Sequence, residues 1–143
     1  MFKKKPLSKE QETALVNAIT AAEKQTSGEI RVHFENENVS EAINRAKEIF
    51  ASLSMHKTEE RNGILFYVNM KHRQFAIWGD EGINSKVPPN FWDEIKDICV
   101  QHFKSDQFVE GLEKSIVLCG QQLKQYFPRK SNDSNELSNT ISY

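Results

Sequence analysis

Five consecutive residues, Ile64-Leu65-Phe66-Tyr67-Val68, leave no polar position between them. A strand with one face in water alternates apolar and polar residues, so a β-favouring run without alternation needs cover on both faces. Helices packed on either side of a small sheet supply that cover. Asn62-Gly63 opens the run, and residues 70–73 link it to a second one, Phe75-Ala76-Ile77-Trp78, which stops at Gly79-Asp80-Glu81-Gly82. Four residues are too few for a crossover, so the second strand must return antiparallel.

The rest of the chain supplies the helices. Ser8 followed by Gln11 is a capping box that opens a helix to about residue 25, with Leu15, Val16, Ile19 and Ala22 on one stripe. Residues 29–35 alternate: Ile30, Val32 and Phe34 face one way, and Glu29, Arg31, His33 and Glu35 the other. This spacing predicts a strand with a solvated polar face. Ser40 is placed to cap a helix over residues 41–53, which makes a βαβ unit with parallel strands. Pro88-Pro89-Asn90 introduces a further helix with Phe91, Trp92, Ile95, Ile98, Cys99 and Phe103 inward. Asp106 is expected to cap the last helix, which buries Phe108, Leu112, Ile116, Cys119 and Leu123 and ends at Pro128. The expected fold class is α/β: a three-layer α/β/α sandwich with a small mixed sheet.

At 143 residues the chain is expected to be one domain, residues 8–128, between a flexible start (1–7) and a mobile polar tail (129–143). Its 19 basic and 20 acidic residues give a net charge of −1, which offers no broad field for nucleic acid or anionic lipid. No run approaches a bilayer span, and MFKKKPLSKEQE lacks the apolar core of a signal peptide. The expectation is a cytoplasmic monomer with no membrane or nucleic-acid partner. Cys99 and Cys119 sit among apolar helical residues and read as buried thiols.

Several blocks, in order, carry a family resemblance. TSGEIRVHFE, then MHKTEERNGILFYVNMKHRQFAIWGDEGI, then FWDEI and FKSDQFVEGL together resemble the TPM domain, from about residue 26 to 128. That family occurs in the plant thylakoid lumen, where it is linked to photosystem II repair, and in many bacterial proteins. The resemblance implies an α/β/α sandwich. For activity it implies a calcium-binding acid phosphatase, as some plant members are described. The chain departs from the commoner pattern in having PLSKEQE where an acidic, glycine-containing stretch often precedes the first helix.

The acidic bend at residues 79–82 is the leading candidate for a ligand. Hard cations take oxygen donors, and Asp80, Glu81 and the backbone of Gly79 offer them, with the glycines letting the chain curl around an ion. Calcium is the expected ion and magnesium the alternative. The competing reading is a β-turn with two solvated acids. Glu29 and Asp106 join the ligand set only if the fold brings them to Asp80; otherwise Glu29 is an exposed strand residue and Asp106 a helix cap. The metal reading requires the bend to be open, and an aspartate already held by lysine or arginine would remove it.

Other chemistry finds little equipment. A cysteine phosphatase needs Arg six positions after Cys, where Ser105 and Gln125 stand, and D-x-D, P-loop, G-x-G-x-x-G and H-E-x-x-H patterns are missing. Weak metal-assisted hydrolysis of phosphate esters is the enzymatic alternative. Of the histidines, His33 reads as a surface residue, His56 leads into the central strand, and His72 and His102 have no metal-pair spacing. Lys71, His72 and Arg73 form a basic tip, either a solubilising turn or a receiver for an acidic partner. A noncatalytic interaction module using this hairpin or the C-terminal tail is the third reading.

Overall fold

The computed structural model describes residues 7–129 and 137–143. Its elements run α1 (Lys9–Glu23), β1 (Glu29–Glu35), α2 (Ala42–Ser52), β2 (Gly63–Asn69), β3 (Gln74–Gly79), α3 (Glu81–Asn84), α4 (Phe91–Lys104) and α5 (Phe108–Tyr126). The capping box forms as expected: Ser8 Oγ accepts from Gln11 N–H, and Gln11 accepts from Ser8 N–H. Asn90 and Glu41, by contrast, precede α4 and α2 without any side-chain cap bond.

The sheet order is β1-β2-β3, with β1 parallel and β3 antiparallel to the central strand. Every residue of β2 is buried, as its uninterrupted apolar run requires. Ile64, Phe66 and Val68 point into one core with Ile30, Val32 and Phe34, filled from the helices by Leu15, Ile19, Ile95, Leu112 and Ile116. Leu65 and Tyr67 point the other way, into a second core with Ala46, Ile49 and Phe50 of α2. Alternation on a strand sends successive side chains to opposite faces, so two cores around one sheet make three layers. The expected α/β/α sandwich is the fold.

Two departures matter for function. The acidic bend is the start of a helical turn, α3, with Asp80 as its N-cap. The C-terminal segment also differs from the mobile tail expected. Residues 137–143 lie along the open edge of β1: Ser142 N–H donates to Val32 O at 2.9 Å, and Ser142 O accepts from Phe34 N–H at 2.8 Å. Ile141 is buried in the main core, and the Tyr143 ring stands 6.3 Å from that of Phe34. An edge strand has a row of backbone groups without partners, and Ser142 pairs with two of them while Ile141 is buried beside it. Lys3-Lys4-Lys5, the rest of the expected flexible start through residue 6, and residues 130–136 of the tail lie outside the described residues.

Candidate functional site

Asp80 closes β3 and opens α3, and its carboxylate is 6% exposed. Both oxygens are occupied. Arg61 Nε donates to Oδ2 at 2.7 Å and Arg61 Nη2 to Oδ1 at 2.9 Å, while Glu81 N–H also donates to Oδ1 at 2.8 Å. The third guanidinium nitrogen, Nη1, reaches Glu81 at 2.9 Å. Hydrogen bonding to Asp80 raises the Arg61 pKa further still, so the cation is permanent. The forked geometry matches a planar guanidinium to a planar carboxylate. The open cradle expected of this bend is therefore closed by an arginine.

The glycines have a different task from the one expected. Neither adopts a left-handed conformation. A Cβ on Gly82 would sit 2.1 Å from the Glu60 carbonyl oxygen, and one on Gly79 would sit 2.6 Å from the Trp92 ring. They permit close packing of the bend and do not curl it around an ion.

The other proposed ligands do not assemble with Asp80. Because β3 runs antiparallel, its carboxyl end lies at the amino ends of β1 and β2, away from the carboxyl rim where ligands of open α/β sheets gather. Glu29 is at this same end, opposite Gly63, with β2 between it and Asp80, roughly 10 Å in backbone terms. It is 3% exposed, not a surface residue, and its Oε1 accepts from Leu137 N–H at 3.1 Å. Beside it Glu23 accepts from Ile30 N–H, and burial lifts that carboxyl to about 7, with the Glu29 charge adding to the rise. Asp106 stands at the opposite end. It is left-handed (φ 57°), and its N–H reaches Phe103 O while Gln107 N–H reaches His102 O, which makes it the turning residue of a Schellman motif after α4. It does not cap α5, whose N-cap is Gln107, and its carboxylate binds Arg73 at 2.9 Å. Among the described residues no three His, Cys, Asp or Glu side chains converge as a metal site. As arranged, the expected donor set does not fit a calcium or magnesium ion.

The carboxyl rim of β1 and β2 holds a polar cluster built from residues whose alternation predicts a solvated face. Glu35 Oε2 accepts from Arg45 Nε at 2.8 Å and from Tyr67 Oη at 2.6 Å, and its Oε1 from Arg45 Nη2 at 3.0 Å. His33 is 4% exposed; it stacks beside Tyr67 and bridges Glu35 and Ser142 Oγ, at 3.2 and 2.8 Å. Burial alone would raise the Glu35 carboxyl, but the bonds from Arg45, Tyr67 and His33 outweigh it and hold it at about 2. Burial lowers the His33 pKa, which disfavours the imidazolium, although Glu35 opposes the shift. Ser142–His33–Glu35 has the bond order of a hydrolase relay. Yet Ser142 gives its N–H to Val32, and Glu35 is neutralised by a two-pronged arginine. The relay fastens the C-terminal segment to β1.

The pairings of Asp80 with Arg61 and of Glu35 with Arg45 each have a signal in the sequence. Four residues between Asn69 and Gln74 pin the hairpin register, which brings residues 61–63 opposite 80–82 and so delivers Arg61 to Asp80. A βαβ crossover also lays its helix on the sheet, and Arg45 on that helix complements Glu35 in charge. Cys99 and Cys119 are buried free thiols as expected; burial pushes Cys99 up to about 12.

Among the described residues no helix is long and apolar enough to cross a membrane. The fold and sequence have close parallels. The BA42 protein of the psychrophilic bacterium Bizionia argentinensis, solved by NMR, is 42% identical and superposes with a TM-score of 0.92, over 99% of this chain and 97% of that one. The N-terminal domain of a P. gingivalis protein shares the fold at 19% identity and a TM-score of 0.70, over 85% of this chain and 78% of that one. The N-terminal domain of the cg2496 protein of Corynebacterium glutamicum does so at 12% and 0.64, over 96% and 85%. No curated protein matches. The family model described as the TPM domain matches residues 3–122, most of the chain. The chain belongs to the TPM domain family.

Proposed function

We propose that this TPM domain is a binding domain that meets an acidic partner at the hairpin end of the sheet. One contrast carries the reading. At the acidic bend each carboxylate oxygen of Asp80 is already paired, whereas Lys71, His72 and Arg73 at the hairpin tip are exposed, with Lys104 exposed beside them. Among the described residues Arg73 pairs there with Asp106, with side chains 64% and 68% exposed, and a pair that wet contributes about 0–1 kcal/mol. It yields readily to a stronger anion. Titrating the protein with hexaglutamate in about 50 mM salt, where screening is modest, should shift the amides of residues 69–75. Lys71→Glu/Arg73→Glu should abolish the shifts. Shifts elsewhere, or shifts that survive charge reversal, refute the reading.

A second reading keeps a divalent cation, calcium or magnesium, at the bend. Its support is that Asp80 and Glu81 converge on one cationic group, Arg61. An ion would have to take the place of Arg61, and metal-dependent phosphatase activity would follow only then. Arg61→Gln should accordingly strengthen calcium binding at residues 79–82, and adding Asp80→Asn should remove it. Flat calcium titrations of the wild type and of Arg61→Gln eliminate this reading.

A further inference from the structure

Behind the hairpin tip, β2, β3, α4 and the start of α5 line a half-open cavity of about 370 Å³. Its apolar walls are Val68, Phe75, Val100, Phe103 and Phe108, its cations are Arg73 and Lys104, and the amides Asn69 and Gln74 complete the lining. The sequence pattern assigns Phe103 and Phe108 to the core, but here they and Phe75 are each partly exposed, and Val100 is 41% exposed. The rings hold one another in place. Phe75 meets Phe103 edge to face at 5.3 Å and 80°, and Phe103 meets Phe108 at 4.9 Å and 52°. The Arg73 guanidinium lies 6.0 Å from the Phe108 ring, which places its charge at the border of the apolar wall.

We infer that this cavity binds a small anion with a compact apolar body, an aryl or short alkyl carboxylate. The inference rests on the hairpin-end reading and supplies the chemistry of what is recognised there. The volume is at the small end for ligand pockets, about the size that takes one ring or a short chain. Aromatic walls reward an apolar body by removing it from water, and they present ring faces and edges for stacking. An inorganic anion leaves those walls wet. A neutral apolar ligand offers nothing for the positive charge of Arg73 and Lys104 to attract. The combination selects a ligand carrying both. Asp106 is the acid that faces Arg73, and it opposes an incoming carboxylate until the exposed pair opens. The cavity also lies at the carboxyl end of β2, the rim that the acidic bend does not share.

Amide-shift titrations with benzoate, hexanoate, benzyl alcohol and sodium acetate test it on the full chain. Benzoate and hexanoate should give saturable shifts at residues 68, 73–75, 100, 103 and 108. Benzyl alcohol and acetate should bind at least about tenfold more weakly, since each lacks one half of the recognised chemistry. Arg73→Gln/Lys104→Gln should lower benzoate affinity by about tenfold and leave benzyl alcohol unchanged. Val100→Trp, at an exposed position, should block benzoate while preserving the unfolding midpoint. Equal binding of benzyl alcohol and benzoate, indifference to the charge variant, or no shifts at these residues overturns the inference. If hexaglutamate still shifts residues 69–75 when benzoate does not bind, the cavity inference falls and the hairpin-end reading stands. If neither binds, both fall.

Discussion

Replacing Glu23 by glutamine should make the protein more stable at alkaline pH and leave it nearly unchanged in acid. Glu23 ends α1, is 5% exposed, and accepts from Ile30 N–H at 2.8 Å. Burial is the largest influence on its carboxyl, and the neighbouring Glu29 charge reinforces it. The bonds from Ile30 and Asn139 and the Arg129 charge oppose it, and the balance moves its pKa from 4.5 to about 7. A raised carboxyl pKa means that the folded state holds the proton more tightly than the unfolded chain. Between about pH 4.5 and 7 the folded state therefore binds more protons, and stability falls as the pH rises through that window. At about 1.4 kcal/mol per tenfold change in proton affinity, the ionised group costs on the order of 3 kcal/mol once the pH passes 8. Glutamine keeps an oxygen for Ile30 N–H and removes the charge. Urea unfolding at pH 8 and pH 4.5 should show Glu23→Gln more stable by about 2–3 kcal/mol at the higher pH, and within about 0.5 kcal/mol at the lower. A difference that is the same at both pH values refutes the assignment.

Glu35→Gln should destabilise the domain by about 2–4 kcal/mol at pH 7, because Arg45 and Tyr67 lose the carboxylate they both bind. The wild type should hold this contribution above about pH 4.5 and lose it as the pH falls towards 2, the folded-state value of Glu35, so acid denaturation curves of the two proteins should converge there. Truncation after residue 136 should uncover the β1 edge. Hydrogen exchange at the Phe34 amide, whose partner is Ser142 O, should then speed up by at least about tenfold, while that at Phe66 in the central strand changes little. Equal acceleration at both amides would mean that the segment supports the whole fold and not the edge alone.

Local patterning made the architecture legible. Ser8 and Gln11 form their capping box, residues 29–35 form the strand their alternation describes, and the apolar run at 64–68 lies between two cores. These features depend on spacing along the chain, where period and burial are linked directly. The site was less legible because the fate of a polar group depends on what stands across from it. Glu29, His33 and Glu35 have the same residue types as a solvated face, yet they lie beneath Arg45 and the C-terminal segment. Asp106 has the residue type of a helix N-cap but turns the chain out of the preceding helix.

The residues alone determined three layers, a mixed sheet with a parallel pair and a returning strand, and the family. Only the tertiary structure decided that Asp80 is held by Arg61, that Gly82 makes room for the carbonyl of Glu60, and that Ile141 draws the last residues onto the open edge of β1. The physical reason is the directionality of the forces involved. Apolar burial needs only the right face and tolerates many neighbours. A charge or hydrogen-bonding group is satisfied by one partner at one distance, and folding chooses that partner.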